Sequence, residues 1–380
     1  MLIKNKNIIN FFPGFNAYRF FASIIVLVGH IDLIKEQMGL KKSCVFLEKF
    51  NFGGTGVYFF FVLSGFLITY LLLKERYLTK SISIKNFYMR RIFRIWPVYY
   101  LLLCFGFFVF PHLDFINLPY ANKHLYSNFY DNLLLYLLIL PNIAFSLFPA
   151  VPHIGQSWSI GVEEQFYIFW PLLVKSTSNI KKSIFLICSS YVIMKIGVLF
   201  LTFLLPQSTL LQSIKLFLAM SKFECMMIGA YGAVLYFDNV VFIRKFCSNC
   251  IIYVFIIISI PVINVLFYDG LLQNGIHILL SFLFLYIILY TCYNINESHI
   301  LNSHILDYLG KLSFGIYMYH LLVLAIVIGA IKYFYPMLSG DEFWVDLLIF
   351  VFTIFFTLLF SSLSYRYYEN VFLKLKTKFN

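Results

Sequence analysis

The sequence predicts an all-α polytopic membrane protein with about ten transmembrane helices. Three observations lead to this prediction. Hydrophobic residues make up 61% of the chain and charged residues 12%, whereas soluble domains average about 45–50% and about 25%. The mean hydropathy is +0.84. Apolar runs recur along the whole chain, and each has the roughly 20 residues that cross a bilayer.

The predicted spans are separated by more polar segments, of which 111–157 is the longest. The spans lie at 17–35, 53–74, 92–110, 158–174, 183–205, 217–237, 250–267, 275–293, 313–333 and 343–363. A further apolar stretch, 131–148, contains Pro141 and Asn142 and is followed by Pro149. Because proline interrupts a helix, this stretch is either a short re-entrant or interfacial segment or an eleventh span.

Basic residues distinguish these alternatives, because cytoplasmic loops are enriched in Lys and Arg. With ten spans and a cytoplasmic N-terminus, most of the basic residues lie on the cytoplasmic side. An eleventh span at 131–148 would move every later loop to the opposite side, and the basic residues would no longer favour the cytoplasm. We therefore expect ten spans, both termini in the cytoplasm, and one membrane-embedded domain over 1–380. Anionic lipid headgroups account for the net charge of +12 without nucleic acid.

Ionisable residues inside spans are functional candidates, because burying them in a membrane is costly. In the first span, His30 follows Arg19 by eleven residues, which is ~16 Å along a helix. This spacing predicts a guanidinium at the cytoplasmic face and an imidazole near mid-membrane. Arg19 alone is equally well explained as a membrane anchor.

The inner loop before the third span carries three arginines within about one helical turn, Arg90, Arg91 and Arg94. Arginine binds phosphate oxygens in a bidentate manner. Basic anchors at inner membrane boundaries are common, and the cluster taken alone fits that explanation better.

Two later segments bring further ionisable groups into the membrane. The segment SWSIGVEEQFY, 157–167, places Glu163 ~9 Å inward from the outer face. The segment GKLSFGIYMYH, 310–320, places His320 ~14 Å inward from Lys311 at the inner face. His30, Glu163 and His320 therefore approach a common depth, and a carboxylate there is suited to orient an imidazole.

Five segments in this order resemble the signatures of the acyltransferase family 3 membrane enzymes. They are Arg19 with His30, GVYFFFVLSGFLI at 56–68, the arginine cluster ending at Pro97, the 158–167 segment and the 313–320 segment. The chain departs from the family at Tyr58, where many relatives have aspartate. This departure weakens any acidic role at that position and does not affect Arg19 or His30.

The resemblance implies transfer of an acyl group, usually acetyl, from cytoplasmic acyl-CoA to a glycan hydroxyl at the outer face. Acetyl-CoA is then the co-substrate, and no metal is implied. Carried onto this chain, the catalytic candidates are His30, Glu163 and His320, the CoA-binding candidates are Arg19, Arg90, Arg91 and Arg94, and the substrate-binding candidates are Ser64, Trp158, Tyr167 and Tyr317. His30 is expected to act as general base or as transient acyl carrier, with Glu163 supporting His30 or His320.

The expected setting is the plasma (inner) membrane of a bacterium. The expected acceptor is a surface polysaccharide or its lipid-linked precursor, such as O-antigen, capsule or exopolysaccharide. Peptidoglycan and a small molecule modified at the inner face are also compatible with the resemblance. Aromatic and polar residues in the outer segment 111–157 suit carbohydrate binding, although an interfacial aromatic belt explains them as well. Some relatives carry a C-terminal esterase-like domain. None is recognisable here, which implies direct transfer or a separate transfer protein outside the membrane.

Two other functions fit parts of the pattern. A transporter or flippase for a small molecule or a lipid-linked sugar also needs many spans and intramembrane charges, but it does not require an arginine cluster together with buried histidines. A polyprenyl-phosphate glycosyltransferase is expected to carry acidic residues in its first outer loop and a large outer domain. That loop here offers only Glu36 and Glu48.

Overall fold

The computed structural model describes residues 8–42, 48–268, 275–296, 299–335 and 343–379, and these residues fold into a helical bundle. The first helices are α1 (Phe15–Gln37), α2 (Phe52–Thr79), α3 (Ile84–Phe108), α4 (Pro119–Ser127), α5 (Phe129–Leu137), α6 (Pro141–Leu147), α7 (Trp158–Ser176) and α8 (Ile180–Leu204). They are followed by α9 (Thr209–Met220), α10 (Phe223–Phe237), α11 (Val241–Phe246), α12 (Cys250–Leu266), α13 (Ile276–Asn294), α14 (His304–Phe334), α15 (Phe343–Ser364) and α16 (Asn370–Lys376).

Short non-α turns complete the described helical structure. The 3₁₀ turns are Phe110–His112, Asp114–Ile116, Gly155–Ser157, Ile300–Asn302 and Thr377–Phe379, and a π-helical turn, Tyr365–Glu369, joins α15 to α16. The prediction of an all-α polytopic membrane protein is confirmed.

Length and composition support eight membrane-crossing helical stretches among the described residues, against about ten predicted. The difference comes from α7 and α12, both of which are helical at predicted spans. Helix α7 carries Glu163, Glu164 and Lys175 within 19 residues, and α12 has only 17 residues. Helix α7 is therefore too charged, and α12 too short, to be counted as a membrane-crossing helix from length and composition.

The stretch 131–148 does not form an eleventh span. Helix α5 has nine residues and α6 has seven, and the chain breaks between them, where Ile139 has a positive φ of 58°. Neither helix approaches the roughly 20 residues that a bilayer requires. The predicted span 217–237 is likewise divided, because α9 ends at Met220 and α10 begins at Phe223.

The centre of the bundle is formed by α1, α2, α10 and α14, with α8 and α15 outside. In the most apolar part of α2, 72% of the residues are buried, whereas the corresponding share in α8 is 6%. Helix α8 therefore presents its apolar side chains to lipid, while α2 is enclosed by protein.

Glycines bring the central helices close together. A Cβ on Gly29 of α1 would lie 2.3 Å from the backbone nitrogen of Gly53 in α2, and a Cβ on Gly310 of α14 would lie 2.2 Å from the carbonyl oxygen of Asn16. Small residues of this kind are the usual means of close helix packing in membranes. They place α1 directly against α14 at Asn16 and against α2 at Gly29.

Candidate functional site

The two histidines predicted to reach the same depth are in contact. His320 Nε2 lies 3.3 Å from His30 Nδ1, and the ring centroids are 5.0 Å apart. Helices α1 and α14 run in parallel here, because Asn16 meets Gly310 and His30 meets His320. The two imidazoles therefore lie at the same level along the parallel helices and contact each other directly.

Hydrogen bonds to backbone carbonyls determine the tautomer of each ring. His30 Nδ1 lies 2.7 Å from the Val26 oxygen, and His320 Nδ1 lies 2.7 Å from the Tyr317 oxygen. A carbonyl oxygen only accepts, so both Nδ1 atoms carry hydrogen when the rings are neutral. His320 Nε2 then accepts weakly from His30 Nδ1–H. His30 Nε2 retains a lone pair with no hydrogen-bond partner among the described residues.

His30 opens onto two adjoining cavities of about 750 and 640 Å³. They share His30, Leu33, Gln156 and Trp158, and we call them together the histidine cavity. Gly53 packs on the imidazole, since a Cβ there would lie 3.5 Å from His30 Cε1. The predicted substrate residue Trp158 is therefore a wall residue beside His30.

A second cavity, of about 100 Å³, contains most of the other predicted site residues. We call it the arginine cavity, and its lining includes Arg19, Arg91, Arg94, Ser64, Glu163, Tyr167 and Tyr317. Arg91 lies 5.5 Å from the ring centroid of Phe87 and 5.7 Å from that of Tyr167. Its Nε is buried without a partner, and no described residue accepts a hydrogen bond from Arg19 or Arg94.

Arg90 is separated from this cavity. Its guanidinium donates to the Phe379 carbonyl at 2.7 Å and approaches Glu75 Oε2 at 3.3 Å. The reason is helical geometry, because residues three apart share a face and adjacent residues do not. Arg91 and Arg94 point into the cavity, and Arg90 is turned towards other partners.

Glu163 has a different partner from the predicted imidazole. Tyr167 donates to Glu163 Oε2 at 2.7 Å, and Ser64 Oγ lies 2.7 Å from the Tyr167 hydroxyl. Because the tyrosine proton goes to the carboxylate, Ser64 is the donor to Tyr167. Glu163 lines the arginine cavity. The Nδ1–H groups of both histidines donate to backbone carbonyls and not to this carboxylate.

Tyr317 lies between the two cavities. It lines the arginine cavity and the larger part of the histidine cavity, as does Val57. Its hydroxyl contacts Ser159 Oγ at 2.6 Å and donates to the Gln156 carbonyl at 3.0 Å, which attaches α14 to the start of α7. The arginines and His30 are thus on either side of one tyrosine.

His153, in the outer segment, lies on the wall of the histidine cavity. Its Nε2 lies 2.9 Å from the Ile116 carbonyl, and its Nδ1 is buried and has no partner in the described part of the chain. Burial lowers the pKa of His153 to about 4, so this imidazole is neutral at neutral pH.

A second buried polar cluster lies outside both cavities. Glu224 Oε1 accepts from Lys195 and from His277 Nε2, each at 2.5 Å. Lys222 lies over the ring of Tyr58 at 5.7 Å and approaches His277 Nδ1 at 3.5 Å. Sequence analysis missed this cluster, although these ionisable residues all fall within predicted spans, and that position was the signal for them.

The chain matches the family described as the acyltransferase domain over residues 12–366. It is 24% identical over 378 residues to the O-acetyltransferase OatA of Staphylococcus aureus strains NCTC 8325 and COL, an alignment that covers 94% of this chain and 57% of OatA. It is also 26% identical over 380 residues to the protein SACOL0978 of S. aureus strain COL, covering 96% and 58%.

The chain thus spans little more than half the length of the curated relatives it matches. No solved structure is significantly similar to it. The family match extends from before Arg19 to beyond His320 and includes both cavities. The chain therefore belongs to acyltransferase family 3.

Proposed function

We propose that the protein is an O-acyltransferase that moves an acetyl group from acetyl-CoA to a hydroxyl of a glycan. The observation that supports this most directly is the pairing of two sites around Tyr317. Among the described residues, the guanidiniums of one site have no hydrogen-bond acceptors, and the imidazole of the other has a lone pair with no donor.

The arginine cavity suits the phosphates of CoA. Arg19, Arg91 and Arg94 line it together with one carboxylate, Glu163, so positive charge is in excess. Guanidinium–phosphate hydrogen bonds are charge-assisted and are strongest where water is excluded. The Tyr167 hydroxyl, held by Ser64 and Glu163, stands beside these groups and orients the carboxylate.

The pantetheine arm of CoA leads from the arginines past Tyr317 and Val57 towards His30. These two residues form walls of both cavities, so they define the passage. His30 lies ~16 Å along α1 from Arg19, which separates the nucleotide end of acyl-CoA from its thioester. The thioester would then lie beside the His30 imidazole.

His30 acts as the general base in this proposal. Its Nε2 takes the proton of the acceptor hydroxyl as the oxygen attacks the thioester carbonyl, forming the new C–O bond. The C–S bond then breaks, and His30 returns the proton to the CoA sulfur. His320 Nε2 accepts from His30 Nδ1–H throughout and so stabilises the transient imidazolium.

The setting that we propose is the bacterial plasma membrane, with both termini and the arginine cavity on the cytoplasmic side, where acyl-CoA is made. The acceptor is a surface polysaccharide or its lipid-linked precursor, reached from the outer face. A separate extracytoplasmic transfer protein is not required by this arrangement, because the hydroxyl and the thioester meet at His30.

The test is transfer of radiolabelled acetyl from acetyl-CoA to surface glycan in isolated membranes. We expect His30→Ala to reduce transfer by about 10²- to 10⁴-fold, the usual contribution of a general base. His304→Ala is the matched control, because His304 is exposed at the start of the same helix as His320, and it should retain transfer.

Retained transfer by His30→Ala would remove the catalytic assignment. Labelled acetyl on His30 itself would instead identify the imidazole as an acyl carrier. A wild-type protein that neither binds acetyl-CoA nor labels any glycan would favour the transporter alternative.

A further inference from the structure

Gln156 is a buried wall residue of the histidine cavity that the proposed chemistry does not use. It lies in the 3₁₀ turn Gly155–Ser157, just before α7, and is 2% exposed. It lines both parts of the cavity, as does His30.

The orientation of the Gln156 amide follows from its hydrogen bond. Nε2 donates to the Met318 carbonyl, and since a carbonyl only accepts, the nitrogen must face Met318 and Oε1 must face away from it. Oε1 is buried and has no hydrogen-bond partner among the residues that the structure describes. A buried acceptor without a donor is costly, so we look for its partner outside the described part of the chain.

His30 and His153 present the same chemistry on the same cavity. His30 Nε2 has a lone pair without a donor, and His153 Nδ1 is left as an unpaired acceptor because Nε2 donates to Ile116. Three side chains on the wall of this cavity therefore each carry an acceptor that lacks a donor among the described residues. The complementary ligand is rich in hydrogen-bond donors, as the hydroxyl groups of a sugar are.

Charge on the cavity wall narrows the ligand class. The described lining contains the carboxylates Asp32, Glu36, Glu48 and Asp346 and the ammonium of Lys42. Lys42 is already shared between Glu36 at 3.2 Å and Glu48 at 2.6 Å. The buried ammonium of Lys35 lies against the other two carboxylates, paired with Asp346 and 3.9 Å from Asp32. Four carboxylates thus face two ammonium groups, and the remaining negative charge disfavours an anionic ligand. Trp158 and Tyr268 add aromatic surface suited to the apolar face of a sugar ring.

We propose that the acceptor is an uncharged sugar whose accepting hydroxyl is flanked by a second hydrogen-bond donor, a hydroxyl or an amide N–H. Gln156 Oε1 accepts from this flanking donor while His30 Nε2 accepts from the hydroxyl to be acetylated. Gln156 is then a specificity-determining residue. This inference rests on the proposed function, since it assumes transfer at His30.

The experiment measures acetyl transfer from acetyl-CoA by the purified full chain to defined acceptors. The probes are methyl glycosides of glucose and N-acetylglucosamine, their monodeoxy analogues, and the matching methyl glucuronide. In parallel, the sugar that carries acetyl in the native glycan is mapped by NMR. We expect the wild type to prefer an uncharged glycoside over the glucuronide by about tenfold or more. We expect a similar preference for that glycoside over the analogue of it that lacks the flanking hydroxyl.

Two substitutions test Gln156 itself. Gln156→Met keeps the length of the side chain but removes the acceptor, and it should lower the preference over the deoxy analogue by about tenfold. Gln156→Glu keeps an acceptor and should retain much of that preference. Gln212→Leu, at an exposed glutamine of α9, is the control and should keep the wild-type ratio. The ratio of two rates in one sample does not depend on how much protein is folded.

The outcomes separate the two proposals. No transfer to any glycan, native or synthetic, overturns the proposed function. Any one of four results overturns the role of Gln156 and of the acidic wall. The first two are transfer with an unchanged ratio in Gln156→Met and a preference for the glucuronide. The others are failure with every neutral glycoside despite activity on the native glycan, and native acetyl on an anionic sugar.

Discussion

At the scale of single residues, position on a helix face decides which ionisable groups meet. Arg91 and Arg94 are three residues apart and share the arginine cavity, whereas Arg90, beside Arg91 in sequence, bonds to Glu75 and Phe379. His30 meets His320 although 290 residues separate them. All five, Arg90, Arg91, Arg94, His30 and His320, were predicted as site residues from residue type, spacing and the family resemblance, and the helix faces then separated Arg90 from the others.

Neutralising Arg94 should weaken acyl-CoA binding. Arg94→Gln removes a charged donor that has no acceptor within the described chain, and each charge-assisted hydrogen bond to phosphate contributes about 1.5–3 kcal/mol. We expect the KM for acetyl-CoA to rise by about ten- to a hundredfold in the acetyl-transfer assay. Arg90→Gln is the matched control and should change KM by less than about threefold. An equal rise in KM for both variants would contradict the assignment of Arg94, and not Arg90, to the CoA-binding cavity.

At the scale of helices, close packing of α2 against α10 depends on glycine. A Cβ on Gly229 would lie 2.0 Å from the Val62 carbonyl oxygen, and one on Gly65 would lie 2.0 Å from the Met226 carbonyl oxygen. These contacts involve backbone on both sides, so neither helix can yield without moving as a whole. The hydrophobic runs predicted that both helices exist, but which faces meet was visible only in the fold.

Adding a methyl group at this contact should destabilise the bundle. Gly229→Ala forces α2 and α10 apart, and overpacking of this kind costs about 1–3 kcal/mol. We expect the thermal unfolding midpoint in detergent to fall by several degrees. Gly197→Ala is the control, because no atom lies within 4 Å of a Cβ there and α8 faces lipid. A Gly229→Ala protein as stable as wild type would contradict the packing described.

At the scale of the whole molecule, buried polar contacts join helices that are distant in sequence. One carboxylate oxygen of Glu224, on α10, accepts hydrogen bonds from Lys195 on α8 and His277 on α13. Lys35 of α1 is fully buried and paired with Asp346 of α15. Lys35, the last residue of the predicted first span, is therefore one half of an ion pair between two helices that are more than 300 residues apart in sequence.

Removing the carboxylate of Glu224 should destabilise the bundle strongly. Glu224→Gln leaves Lys195 without its counter-charge in a buried position, and breaking such a pair costs about 3–5 kcal/mol. We expect reduced abundance in membranes and a lower unfolding midpoint. Asp238→Asn, which loosens the more exposed pair with Lys181, should cost no more than about 1 kcal/mol. Similar losses in both variants would contradict the importance of burial.

Orientation in the membrane is also a property of the whole chain. We expect green fluorescent protein fused after Asn380 to fluoresce and alkaline phosphatase at the same position to be inactive, because the excess of basic residues favours a cytoplasmic C-terminus. Fusions in the outer segment 111–157 should show the reverse. An active phosphatase at the C-terminus would place the arginine cavity on the side without acyl-CoA.

The sequence by itself determined the class of protein, the helices and the depth of the charged groups. It did so because hydrophobic length and the cost of buried charge depend on local composition and on helical rise. The depths of His30 and His320 and the interruption at Pro141 were therefore predictable from the residues.

Tertiary structure decided the partners. Tyr167 rather than an imidazole binds Glu163, Arg90 leaves the cavity, and Gln156 joins His30 on one wall. These outcomes depend on which faces of non-adjacent helices pack together, and that is set by backbone contacts at glycines such as Gly29, Gly53 and Gly310. A hydropathy pattern describes each helix separately and contains no information about its neighbour.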